Sequence, residues 1–274
     1  MIPAAFDYIR VDSADAAVAQ LVEHGDDAKI LAGGHSLIPL LKLRLASPAK
    51  LIDVGRVKDL SYIRDAGDHI AIGAMTRHRD VEISEILAAH NPLLANAASY
   101  VGDPQVRHRG TIGGSIAHAD PASDLPAVAL ALGATLVARG PKGDRTIAAT
   151  DFFQGFLTTS LAEDELLTEI RVPKITGAGW SFQKFNRRAQ DWAIVGVAAW
   201  KGNGTSGIGL VNMGSTPVRA AAAEAALNGG ASAADAAAHA ADGLEPPADL
   251  NASVEFRQHL SRVLVRRALE ACGA

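Results

Sequence analysis

Cysteine is nearly absent, with one residue, Cys272, in a chain of 274. A lone thiol cannot close a disulfide within the chain, and it cannot hold an iron–sulfur cluster, which takes several cysteine ligands. Histidine occurs nine times, but H-E-x-x-H and comparable ligand spacings are missing, so no bound metal is expected. No apolar run reaches the roughly 20 residues of a membrane-spanning helix. Met1–Arg10 lacks the basic and apolar segments of a secretory signal. The formal net charge is only −4, too little to point to nucleic acid as a partner. The phosphate-binding motifs G-x-G-x-x-G and G-x-x-x-x-G-K-[ST] are missing as well. These absences leave a folded cytoplasmic protein, and 48% apolar against 20% charged residues suits two or three compact units with a sizeable core.

Glycine, by contrast, is plentiful at 26 residues, and two pairs stand out. One lies in Ala32-Gly33-Gly34-His35-Ser36, the other in Thr111-Ile112-Gly113-Gly114-Ser115. Glycine admits positive φ and lets backbone approach a ligand closely, and successive N–H groups in such a turn form an anion-binding concavity. Two loops of this kind, brought together by folding, suit the two phosphates of a dinucleotide. Either alone is equally what a tight turn in an α/β protein looks like. The first pair follows the strand-like Lys29–Leu31 and precedes an apolar helical stretch with Pro39 in its first turn. The second leads into an alanine- and leucine-rich helix over Ala122–Leu132.

The fold class expected is α+β: two small N-terminal α/β subdomains followed by a C-terminal α+β domain. Residues 1–55 carry a helix over Ala14–Glu23 capped by Ser13, and strands at Lys29–Leu31 and Lys50–Val54. Residues 56–175 carry strands near 62–64, 69–72, 135–138, 145–148 and 166–172, with helices over Val81–Ala89, Pro92–Tyr100 and Ala122–Leu132. Thr176–Gly179 reads as a linker to residues 176–274. There, three extended segments, Trp180–Asn186, Ala193–Trp200 and Gly207–Met213, predict a three-stranded antiparallel sheet with a hairpin at Lys201–Thr205. Helices follow over Arg219–Leu227, Ala231–Ala241 and Val254–Ala271.

Three stretches together resemble the FAD-binding medium subunits of molybdenum hydroxylases, those of the aerobic carbon monoxide dehydrogenase type in particular. They are A-G-G-H-S-L-I-P at 32–39, T-I-G-G-S-I-A-H-A-D-P-A-S-D-L-P at 111–126, and F-x-K-F-x-R-R-x-x-D-W-A at 182–193. The resemblance covers essentially the whole chain. It implies that FAD lies between the two N-terminal subdomains, with its pyrophosphate on the backbones of Ala32, Gly33, Gly34, His35, Ser36 and Leu37 and of Thr111, Ile112, Gly113, Gly114 and Ser115. Asp124 matches a carboxylate that accepts from a ribose-type hydroxyl, although a carboxylate in a first helical turn is also favoured by the helix dipole. Lys184 matches a cation near the flavin, or else a strand residue facing solvent. Leu167 matches an apolar ring contact. Trp192 stands where the family often has tyrosine; it either stacks on the ring or belongs to the core.

The implied role is electron transfer with no catalytic acid or base in this chain. The implied partners are a large subunit holding the molybdenum cofactor and a small subunit holding [2Fe–2S] clusters, in a dimer of heterotrimers. The whole enzyme's substrate and its electron acceptor stay open. Two other readings remain: a free-standing FAD oxidase or dehydrogenase with flavin linked covalently to His35, and a non-catalytic adaptor.

Overall fold

The computed structural model describes residues 2–202 and 204–274. The first unit alternates β1 (Asp7–Arg10), α1 (Ala14–His24), β2 (Ala28–Leu31), α2 (Leu37–Leu43) and β3 (Lys50–Asp53). Its strands form a parallel sheet in the order β1-β3-β2, a pairing that needs crossover connections, here the two helices. Ser13 starts α1 as expected, its hydroxyl accepting the Ala16 N–H at 3.1 Å. Ala17, Val18 and Leu21 of α1 pack on Ile52 and Val54, and Met75 and Leu166 from later in the chain join that core.

The second unit begins with β4 (Ile63–Asp65) and β5 (His69–Gly73). Six helices follow: α3 (His78–Glu82), α4 (Glu85–His90), α5 (Pro92–Ser99), α6 (Pro104–Arg109), α7 (Ile112–His118) and α8 (Asp124–Ala131). Then come β6 (Thr135–Gly140), β7 (Gly143–Ala148), α9 (Ala149–Phe152), β8 (Phe153–Gly155), β9 (Thr158–Thr159) and β10 (Leu166–Pro173). The main sheet is antiparallel throughout, in the order β4-β5-β10-β6-β7, so this unit is α+β rather than the expected α/β. The one helix expected over Val81–Ala89 is two, α3 and α4. Ser84 breaks it by accepting the Leu87 N–H at 3.2 Å and capping α4 afresh. All eight residues of α8 are buried.

The third unit holds β11 (Gly179–Phe185), β12 (Val195–Lys201), β13 (Ser206–Val211), β14 (Val218–Arg219), α10 (Ala221–Asn228), α11 (Ala233–Ala238) and α12 (Val254–Ala271). Its antiparallel sheet runs β11-β12-β13-β14. The short β14 adds a fourth strand to the three expected and moves the start of the next helix from Arg219 to Ala221. In the β12–β13 turn Gly202 N–H donates to Thr205 O at 2.9 Å; Asn203 of the expected hairpin lies outside the described residues. The sheet is covered on both faces. Val195, Val197 and Ala199 face the core shared with α10–α12, while Phe182 and Ala198 face the core of the second unit, the alternation that a pleated strand imposes. On that second face β13 meets α8 at Gly207 and Gly209, where a Cβ would strike the carbonyl oxygens of Ala131 and Ala127.

Candidate functional site

A cleft of about 460 Å³ opens where the three units meet. Its first wall is the β2–α2 turn, Ala32–Leu37. Gly34 has φ +78°, a conformation that a side chain disfavours. A Cβ on Gly33 would lie 2.8 Å from Gly110 Cα, so this turn rests directly on the backbone that enters the second wall. Among the described residues, the N–H groups of Gly33, Gly34, His35 and Ser36 find no acceptor within the chain. Four adjacent donors thus stand available on one turn, the arrangement that binds an anion.

The second wall begins at Thr111 and continues through Gly114 and Ser115 to Asp124. The expected glycine loop is instead the first turn of α7, and its amides are already used. Ile112 N–H donates to Thr76 O at 3.0 Å, Gly113 N–H to Ala74 O at 2.9 Å and Ser115 N–H to Thr111 O at 3.0 Å. Gly114 N–H donates to the Thr111 hydroxyl at 3.1 Å, which makes Thr111 the cap of the helix. The expectation that both pairs offer free backbone donors is therefore corrected: the second pair's donors hold the fold together. Its remaining polar groups toward the cleft are the Thr111 and Ser115 hydroxyls.

Asp124 and Lys184 come together from positions 60 residues apart. Lys184 Nζ lies 2.7 Å from Asp124 Oδ2 with both side chains buried, and it also donates to Tyr100 O at 3.0 Å. The other carboxylate oxygen, Asp124 Oδ1, is buried and has no partner among the described residues. Burial pushes this carboxyl up to about 6, the Lys184 ammonium opposing the shift. The charged form thus keeps its ion pair while one oxygen awaits a donor.

Trp192 lies on the third wall, 57% exposed. Beside it, Asp191 pairs with Arg188 at 3.0 Å. Three expected residues are not on the cleft. Ile112 and Leu167 are 1% and 4% exposed in the main core, Leu167 because it sits on the central strand β10. Gly113 packs beneath, where a Cβ would come 2.6 Å from Ala74 O.

The cleft also contains residues that the sequence did not single out: His78, the Val101–Gly102 turn, His118 and Gln190. His78 is buried, its Nδ1 unpartnered, and burial pushes it down to about 4, so its ring is neutral. Its ring fits only because position 110 is glycine: a Cβ there would lie 2.6 Å from His78 Cδ2. His35 and His118 are also shifted below the usual histidine range, each mainly by burial. The signal for the Val101–Gly102 turn was present in Gly102-Asp103-Pro104, since Asp103 caps α6 by accepting the Val106 N–H at 2.8 Å. His78 carried no such local mark.

Residues 4–175 match the family described as the FAD binding domain in molybdopterin dehydrogenase, and residues 180–272 match the CO dehydrogenase flavoprotein C-terminal domain. The chain is 44% identical, over 284 aligned positions, to the carbon monoxide dehydrogenase medium chain of Hydrogenophaga pseudoflava, covering 100% of this chain and 99% of that one. It is 41% identical over 280 positions to subunit alpha of the 6-hydroxypseudooxynicotine dehydrogenase complex of Paenarthrobacter nicotinovorans, covering 98% and 95% of the two chains. In fold it matches a chain of the Hydrogenophaga pseudoflava carbon monoxide dehydrogenase that lacks the Mo-pyranopterin moiety of its cofactor. The TM-score is 0.95 at 46% identity, covering 100% of this chain and 99% of that one. Among the described residues, no helix is long and apolar enough to cross a membrane, and no group of three or more histidine, cysteine or acidic residues is placed to hold a metal.

Proposed function

The chain belongs to the FAD-binding family of molybdopterin dehydrogenases, and from that membership we propose that it is the FAD-carrying medium subunit of a molybdenum hydroxylase of carbon monoxide dehydrogenase type. The observation that carries the site assignment is the run of unpartnered N–H groups from Gly33 to Ser36. The orphaned Asp124 Oδ1 adds a buried acceptor on the opposite wall. Together they fit a ligand with anionic phosphates at one end and hydroxyl donors further along, which FAD is.

In this reading the Ala32–Leu37 backbone binds the pyrophosphate, helped by the Thr111 and Ser115 hydroxyls. Asp124 Oδ1 accepts a hydroxyl of the cofactor, a charge-assisted bond, and Lys184 holds that carboxylate ionised and oriented. Trp192 covers an open side of the cleft and limits water there. No side chain of this subunit transfers a proton to substrate. FAD supplies the redox chemistry, taking electrons from [2Fe–2S] clusters and passing them to an external acceptor. Those clusters belong to a small partner subunit and the molybdenum cofactor to a large one; the only thiol here, Cys272, is buried. We assign residues 1–175 to the FAD-binding domain and 176–274 to the C-terminal domain, a division supported by the two family matches. The cytoplasm, where such cofactors are inserted, is the proposed location. Similarity to carbon monoxide and 6-hydroxypseudooxynicotine enzymes is nearly equal, consistent with substrate choice residing in the large subunit.

The test is the visible spectrum of the assembled three-subunit enzyme, followed by acid precipitation. A flavin spectrum whose colour leaves the pellet is expected. Colour retained in the pellet would place a covalent flavin on His35, and an assembled enzyme without flavin would make this chain an adaptor.

A further inference from the structure

We propose that Asn212 is a positioning residue of the cleft, fixing the spacing between Asp124 on one wall and Trp192 on the other; the inference rests on the FAD reading above. Asn212 follows β13 and has φ +62°, in the left-handed region that asparagine tolerates better than most side chains. This turn aims its two donors at different segments. Its backbone N–H donates to Pro121 O at 2.7 Å, and its side-chain amide donates to Ala193 O at 2.8 Å.

Both acceptors sit next to the site. Pro121 lies in the turn that delivers Asp124, a turn closed by Asp120, whose carboxylate and carbonyl accept the Ala122 and Ser123 N–H groups, each at 2.9 Å. Ala193 directly follows Trp192. One residue therefore grips the approach to the carboxylate and the segment that presents the indole. Trp192 faces the cleft on one side and a hollow of about 640 Å³ on the other, so close packing does not fix it. Before the indole, Asp191 is tied, among the described residues, only to its own loop. Its N–H donates to Arg188 O at 2.9 Å and its carboxylate pairs with Arg188 at 3.0 Å. After Ala193 the next ties act on Ile194. Its N–H donates to Phe185 O at 2.8 Å, and its carbonyl accepts from the buried Arg257 guanidinium. Asn212 holds the carbonyl of the residue that directly follows the indole.

Asn212→Asp keeps the side chain's size and the backbone bond to Pro121 but sets a carboxylate oxygen against Ala193 O. Asn212→Gly keeps the left-handed turn and removes the side-chain grip. Both are to be measured in the assembled three-subunit enzyme by FAD dissociation constant, flavin absorption and amide hydrogen exchange over Asp191–Ile194. The loss of one hydrogen bond is expected to raise the dissociation constant about tenfold. A shifted flavin band and faster exchange confined to that segment are expected with it. Faster exchange with unchanged affinity and absorption would make Asn212 merely structural and overturn the proposal, as would unchanged exchange. A wild-type enzyme that holds no FAD would instead overturn the functional reading, and the exchange measurement would still decide whether Asn212 restrains the Trp192 segment.

Discussion

Gly33-Gly34 lies on one wall of the cleft, and Gly113-Gly114 forms the first turn of the helix behind another, with only Gly114 on its surface; their backbone amides are used in opposite ways. In the first turn, the N–H groups from Gly33 to Ser36 have no acceptor among the described residues, and Gly34 needs its missing side chain to hold φ +78°. In the second, every N–H from Ile112 to Ser115 is spent on Thr76, Ala74 or Thr111. Gly113 is glycine because Ala74 leaves no room for a Cβ. A glycine pair therefore announces a ligand only where the fold leaves its amides unspent; elsewhere it announces close packing.

The comparison can be broken most forcefully at Gly113. Gly113→Val would drive a branched side chain into the Ala74 backbone, where even a Cβ comes 2.6 Å from the carbonyl oxygen. Overpacking typically costs about 1–3 kcal/mol, and a collision with backbone puts this case at the upper end of that range. A collapse of Tm with or without FAD is expected; an unchanged Tm would refute the packing role. Gly34→Ala should separate binding from folding. Its strain is about 1–2 kcal/mol, so thermal unfolding without FAD should drop only a few degrees, while titration should reveal an affinity loss of tenfold or more. Equal affinity would deny the first turn its phosphate. Thr111→Ala removes the cap of α7 at about 1 kcal/mol, and Thr111→Ser should restore both stability and affinity; a serine variant as weak as alanine would point to the lost methyl instead of the hydroxyl.

Two titrating groups sharpen the contrast further. Asp124, pushed up to about 6 from an ordinary 3.8, binds its proton more tightly folded than unfolded. Its stabilising contribution is present at low pH and lost as pH rises through about 6. His78 behaves oppositely: pushed down from 6.5 to about 4, it contributes above 6.5 and loses that contribution as pH falls toward 4. Between pH 4 and 6 the two oppose each other. Asp124→Asn should therefore steepen the fall of Tm on acidification across that window, and an unaltered slope would contradict it. The smallest stability effect is expected at the largely exposed Trp192. Trp192→Ala should stay within about 0.5 kcal/mol while altering the flavin band, and an unaltered band would remove the indole from the cofactor's surroundings.

Much of the fold was legible because its signals are local. Ser13 and α1, strand β2, and the long α12 all follow from caps and periodicity confined to a few residues. What escaped depended on distant partners. β1 carries exposed Asp7, Tyr8 and Arg10 and becomes a strand only by pairing with β3, more than 40 residues away. The turn of helix through Gly113 and Gly114 has poor intrinsic propensity and forms because Thr111 caps it and Ala74 receives it. Within the site, the Gly33–Ser36 turn was readable, whereas the Asp124–Lys184 pair joins residues whose separate neighbourhoods say nothing of each other. Leu167 and Ile112 were carried in by resemblance and lie in the core. His78 offered only a histidine beside an arginine.

The contact between α8 and β13 bears on how such chains can be recombined. The two family matches meet between residues 175 and 180, which invites hybrids joined at that linker. Yet α8 falls in the first match and β13 in the second, and they touch through Gly207 and Gly209 lying on the carbonyls of Ala131 and Ala127. Trp200 seals the seam by donating its indole N–H to Ala131 O at 2.7 Å. A hybrid that inherits its two halves from different parents is thus constrained at this seam and not at its junction. Compatible parents are those whose strand is as bare, and whose helix is as small, at these four positions.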